Sequence, residues 1–144
     1  MFSKACEYGI KAAIFIATKS YEGLRVSPKE IAEKINSPQA FTAKILQSLV
    51  RHHVVNSIKG AHGGFEIQKD RISEVKLAQI VKAIDGDKIY VGCGLGMEKC
   101  DENHPCPAHD KFKIVRDELK NMLENTTLEE LALNIKSGTA FLKT

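Results

Sequence analysis

The sequence predicts a mainly α fold with a small β-hairpin wing: a winged helix-turn-helix followed by a long C-terminal helix. Three observations predict it. A sharply capped short helix leads through a proline-containing break into a second helix whose polar face carries no acid. A β-branched run and a glycine-rich turn follow directly. Further on, a cysteine-bearing loop opens into a helix whose apolar residues step by three and four.

The first helix is expected over residues 2–18, where Ala5, Tyr8, Ala12, Phe15 and Ile16 fall near one face. It is apolar around much of its circumference, so it should be largely buried. Tyr21, Glu22 and Gly23 end it. Ser27, Pro28 and Glu30 then form a capping box with a proline pre-set for the first turn. Ile31, Ala32 and Ile35 supply that helix's buried stripe, and Asn36-Ser37-Pro38 breaks it.

From about Gln39 to His52 a second stripe is formed by Phe41, Ile45, Leu46, Leu49 and Val50. The opposite face offers Gln39, Thr42, Ala43, Lys44, Gln47, Ser48 and Arg51. Two short helices joined by a tight turn, the second free of acids, make a helix-turn-helix. Residues 54–58 are strand-like, Lys59-Gly60-Ala61-His62-Gly63-Gly64 makes a turn, and residues 65–67 resume alternation. Glycines let such a tip approach a DNA backbone, where Lys59 and His62 offer positive charge. Lys44, Arg51 and Lys59 are candidates for phosphate or groove contacts, and Gln39, Thr42 and Gln47 for base edges. Ser73 to Asp85 reads as one further amphipathic helix stopped by Gly86.

With 144 residues, 43% apolar and 27% charged, the chain holds one domain or a small module with an arm. No apolar run approaches the roughly 18 residues of a membrane span. Lys11 interrupts the first apolar stretch, so neither a secretory leader nor a membrane partner is expected, and a soluble cytoplasmic protein is. The net charge of +3 hides an asymmetry. Residues 1–82 carry 13 Lys and Arg against 7 Asp and Glu, and residues 83–144 carry 8 against 11. A basic first part suits a polyanion such as double-stranded DNA.

Residues 87–108 read as a loop, and one that long is uncommon unless it has a function. It carries Cys93-x6-Cys100-x5-Cys106-x2-His109, while Cys6 stands apart. Clustered thiols in a cytoplasmic chain point to a metal or a redox sensor rather than to structural disulfides. Three thiolates and an imidazole suffice for zinc or for an iron–sulfur centre, and the wide intervals suit a cluster better than one ion. His104 reads as a solvent-exposed loop residue. After the loop, a helix from Asp110 to Asn125 carries Phe112, Val115, Leu119 and Met122 at coiled-coil spacing. This seam points to a homodimer, with packing onto its own first domain as the other reading. Thr127-Leu128-Glu129-Glu130 caps a short last helix. The expected division is 1–86 for DNA binding, 87–108 for the cysteine loop and 109–144 for the dimerisation helix and tail.

These features together resemble the Rrf-two family of bacterial winged-helix transcription regulators, in its iron–sulfur (IscR/NsrR-like) form. The resemblance rests on Glu7-Tyr8, on Ser27-Pro28-x-Glu30-Ile31-Ala32, and on Lys59-Gly60-x-x-Gly63-Gly64-Phe65. It continues through Ile84-Asp85-Gly86, the three cysteines with His109, and Thr127-Leu128-x-x-Leu131. It implies a 2Fe-2S cluster on Cys93, Cys100 and Cys106. The fourth ligand is His109 in one family pattern and Glu7 of a partner subunit in another; His109 is favoured because it needs no cross-chain geometry. The first cysteine interval is one residue longer than the commonest family form, Ala43 replaces a base-reading Glu of IscR-like members, and His62 replaces a wing glycine. The alternatives at the same cysteines are structural zinc or a cluster-free thiol redox switch, and an aerobically purified sample can hold no cofactor at all. An enzyme is not expected: the chain lacks a nucleophile–base pair, a phosphate loop and paired catalytic carboxylates.

Overall fold

The computed structural model describes residues 1–142; the last two residues of the expected C-terminal segment lie outside the described ones. Helix α1 (Lys4–Tyr21) starts at Ser3, whose side chain accepts the Cys6 N–H at 3.0 Å. The Ser3 backbone N–H donates to Asp85 at 3.0 Å, and its hydroxyl donates to the same carboxylate. The chain's start is thereby fixed to the end of a helix 82 residues later. Ala12, Ala13, Ile16 and Ala17 are fully buried, so α1 forms the centre of the molecule.

Helix α2 (Pro28–Ile35) shows the expected capping box. Ser27 Oγ accepts from Glu30 N at 3.1 Å, and Glu30 Oε1 accepts from Ser27 N at 3.3 Å. Asn36, at φ 52°, ends it in the left-handed region, where Asn is tolerated. Helix α3 (Gln39–Arg51) follows. Strands β1 (Asn56–Ile58) and β2 (Gly64–Glu66) pair antiparallel, with Ser57 opposite Phe65. Val26 adds a one-residue bridge to Phe65. Gly64, at φ 138°, lies so close to the Val26 carbonyl that a Cβ would stand 2.8 Å from its oxygen; this turn requires glycine.

The helix expected from Ser73 to Asp85 is shorter. Helix α4 (Lys69–Ile72) and a turn precede an extended Val75-Lys76, and only Leu77–Asp85 forms helix α5. The reason is a long-range backbone pairing. Leu128 N donates to Val75 O at 2.9 Å and Leu77 N donates to Thr126 O at 3.0 Å. Those partners compete successfully with a helical turn. The 87–108 segment is irregular apart from the single turn of α6 (Lys88–Val91).

Helix α7 (His109–Asn125) and helix α8 (Leu128–Lys136) complete the chain. Leu123, Leu128 and Ala132 are fully buried in the same apolar cluster as Ile16, Ile31, Leu46 and Ile80. Helix α8 lies along α1, and α7 along α5. None of the described helices is long and apolar enough to cross a membrane.

Candidate nucleic-acid interface and cysteine loop

Ile45, Leu46 and Leu49 anchor α3, each at most 4% exposed. That anchoring turns Gln39, Ala43, Lys44, Gln47 and Arg51 outward. Gln47 and Arg51 line a groove of about 460 Å³ together with Pro28, Ala43, Val50, Ser57 and Phe65. The start of α2, the outer face of α3 and the wing thus share one concave surface. Lys59 and His62 are exposed on the wing tip. Arg25 fixes that tip: its Nε donates to Glu66 at 3.0 Å and its Nη1 to the His62 carbonyl at 3.1 Å.

Thr42 is a correction. It is fully buried, its hydroxyl donating to the Pro38 carbonyl at 2.9 Å and meeting Ser37 Oγ. A threonine that bonds the carbonyl four residues back has its polar group satisfied and can enter the core side of a helix. Thr42 therefore cannot reach a base edge. Phe41 takes the reverse course, at 37% exposure with its ring edge-on to Tyr8.

In the loop two of the four donors meet: Cys100 Sγ lies 3.4 Å from His109 Nδ1. Among the described residues, no three His, Cys, Asp or Glu side chains close on one point as a single ion would require. His109 is only 7% exposed and opens α7, its N–H donating to the Cys106 carbonyl at 3.0 Å. Backbone N–H groups of Met97 and then Leu95 hold the Cys93 thiol below its ordinary value, against a smaller opposing effect of burial. Cys106 and the Gly96 N–H add to the lowering. The donor set fits a two-iron cluster by its chemistry: three thiols and an imidazole, carried by one loop and the helix it opens, are the kinds of ligand such a cluster takes.

Cys6 and Glu7 lie elsewhere. Cys6 is fully buried on α1, and burial first, then the Asp85 carboxylate, pushes its thiol up to about 12. Glu7 is exposed and pairs with Lys4 at 3.2 Å. His104 is exposed, 3.5 Å from Asp101.

Sequence reasoning missed Arg116. Its Nη1 donates to the Gly92 carbonyl at 2.7 Å and to Cys100 Sγ at 3.1 Å. The inward stripe of α7 is His109, Phe112, Arg116, Leu119 and Leu123, so the apolar seam expected at Phe112, Val115, Leu119 and Met122 is split. Phe112 covers Gly94, whose hydrogen occupies the place where a Cβ would strike the ring. Leu119 packs against the shared core. Val115 and Met122 stay exposed, at 63% and 43%, beside Ile114 at 63%. The signal available in the sequence was the helical spacing from His109 to Arg116, two turns apart on one face.

A family model described as "Rrf2: Iron-dependent Transcriptional regulator" matches residues 2–134. The chain belongs to the Rrf2 family. This Rrf2 chain is 28% identical over 127 residues to the HTH-type transcriptional regulator IscR of Photorhabdus laumondii, an alignment covering 88% of the chain and 76% of the relative. It is 26% identical over 132 residues to NsrR of Oceanobacillus iheyensis, covering 91% and 88%. Among solved structures it is similar to CymR, the global cysteine regulator of B. subtilis, with a TM-score of 0.74, 25% identity and coverage of 92% and 95%. The IscR of T. potens shares the fold at a TM-score of 0.73 and 17% identity, over 98% of this chain and 92% of that one. The Rrf2 chain is thus a winged-helix, DNA-binding transcription regulator rather than an enzyme.

Proposed function

We propose that the chain is a homodimeric regulator that reads iron–sulfur, redox or nitric oxide status through a 2Fe-2S cluster on Cys93, Cys100, Cys106 and His109. The observation that carries this reading is the contact of Cys100 with His109 at 3.4 Å inside one chain. That contact favours His109 over Glu7, which faces solvent and Lys4. The wide cysteine intervals, with no three of these donors converging among the described residues, favour a two-iron cluster over zinc, whose four ligands must converge on one centre. When bound, the cluster would supply a one-electron couple and a group that oxidation or nitric oxide can remove.

The residues around the loop offer a route from that site to DNA. The loop leaves the end of α5, where the Ala83 carbonyl accepts from Ser48 Oγ of α3 at 2.8 Å. It re-enters as α7, which also packs on α5. Ordering the loop therefore bears on the helix that holds the recognition helix. Val115 and Met122, with Ile114, form the exposed apolar strip for a second copy. A shift there changes the spacing of two recognition helices, and half-site spacing sets affinity. Driving such a switch from mostly off to mostly on takes about 5 kcal/mol of differential binding. On DNA, Lys44, Arg51 and Lys59 would meet phosphates, Gln39 and Gln47 base edges, and His62 the groove beside the wing.

Anaerobic purification with iron, sulfide and zinc counted on one sample tests the reading. About two iron and two sulfide per chain are expected for a 2Fe-2S centre. Stoichiometric zinc in a colourless sample overturns it, as does equal affinity of cluster-loaded and cluster-free protein for DNA sites selected in vitro. The lowered Cys93 thiol, to which Cys106 contributes, supports a second reading, a thiol switch closing a disulfide between the two. DNA binding that responds to oxidant in metal-free protein would favour it.

A further inference from the structure

We infer that Arg116 is a positioning residue of the cysteine loop: it clasps Gly92 and Cys100 together and makes the group held there easier to reduce. The inference rests on the cluster reading above. Three observations carry it. Arg116 Nη1 bonds the Gly92 carbonyl and the Cys100 sulfur at once, joining the loop's entry to its middle from two turns into α7. Arg116 forms none of the ion pairs found among the described residues, and its side-chain partner is the Cys100 sulfur. Its Nε is buried with no acceptor, an arrangement worth keeping only if the guanidinium serves a further purpose.

The physical argument is one of charge. A guanidinium is always protonated and presents its donors in a fixed fork. Cys100 becomes a thiolate when it ligates iron, and the N–H from Arg116 then becomes a charge-assisted bond. One-electron reduction of a bound cluster, by an external electron donor, would add one negative charge to the site. A fixed cation on a ligand sulfur stabilises the reduced form more than the oxidised one, and hydrogen bonds to cluster sulfurs are one of the main controls on potential. Cys100 also touches His109, so the charge would act beside two of the residues that would hold the cluster.

The test is a dithionite titration, with mediators, of full-length wild type, Arg116→Gln and Arg116→Lys, followed by visible absorption and by electron paramagnetic resonance of the reduced state. Dithionite is the electron donor. At a fixed potential, Arg116→Gln is expected to lower the ratio of reduced to oxidised protein at least tenfold, about 59 mV for a one-electron couple. Arg116→Lys, which keeps the charge, is expected to fall between. Circular dichroism and Tm report whether each variant is folded. If folded Arg116→Gln fails to retain iron while Arg116→Lys retains it, the inference stands. A midpoint unchanged in Arg116→Gln, or Arg116→Lys indistinguishable from Arg116→Gln, overturns it while leaving the cluster reading intact. Wild type that takes up neither iron nor sulfide overturns both.

Discussion

The DNA reader and the cysteine loop are neighbours built on different physics. The reader rests on apolar burial: Ile16, Ile31, Ile35, Leu46 and Leu49 are at most 1% exposed. The loop has no fully buried apolar side chain between residues 87 and 108; beyond the partly buried Ile89 and Tyr90 at its start, it is held by sulfur, imidazole, guanidinium and backbone groups. Burial is non-directional and grows with area, so it makes a frame that holds its shape without a ligand. Polar contacts of half-exposed groups net only about 0.5–1.5 kcal/mol each, so a segment built on them can be reorganised by what it binds. A sensor needs both: a frame that keeps the recognition helix in place, and a segment soft enough to respond.

The largest expected contrast between the regions comes from paired truncations. Leu49→Ala removes a fully buried side chain from beneath α3 and should cost about 2–5 kcal/mol of unfolding free energy. Cys106→Ala in metal-free protein should change stability by no more than about 0.5 kcal/mol. Urea denaturation of both variants measures the difference. Equal losses would show that the loop contributes to the core after all, and would end the division drawn here.

The same contrast explains what was legible in the sequence. The capping box at Ser27 and Glu30, the Ile45-Leu46-Leu49 stripe and the glycine-rich wing are local signals, and each element formed where it was expected. The shortened α5 was not legible, because the partners of Val75 and Leu77 lie about fifty residues away at Leu128 and Thr126. Thr42 was misread because its hydroxyl is satisfied within its own helix. On α7 the apolar letters misled. The inward stripe includes His109 and Arg116, polar residues turned in to serve the loop, while Val115 and Met122 were left outside. Periodicity reads a core well and reads a site poorly, because a site puts polar groups where a core would put apolar ones.

Ser27→Ala sharpens the comparison from within the reader. It leaves the Glu30 N–H without its side-chain acceptor and should cost about 1 kcal/mol, measurable as a lower Tm. Arg51→Ala touches only the outward face. It should leave Tm unchanged, weaken DNA binding, and lower the slope of log affinity against log salt by about one unit. An unchanged slope would remove Arg51 from the phosphate contacts.

The finest probe of the two environments comes from the thiols. Cys6 belongs to the frame and Cys93 to the loop. In metal-free protein at pH 8, iodoacetamide should modify Cys93 quickly, since backbone N–H groups favour its thiolate. Cys6 should stay unmodified until the chain unfolds, being fully buried with its thiol pushed up to about 12. The same displacement sets a pH dependence. Protonated Cys6 is favoured in the folded state, so its contribution is complete below the ordinary thiol value of 9.0 and is lost as pH rises toward 12. Cys6→Ser should therefore flatten the alkaline fall in stability, whereas Cys93→Ser should not. Rapid labelling of Cys6 in the folded protein would mean that α1 opens near its start, and that the frame is softer than its burial implies.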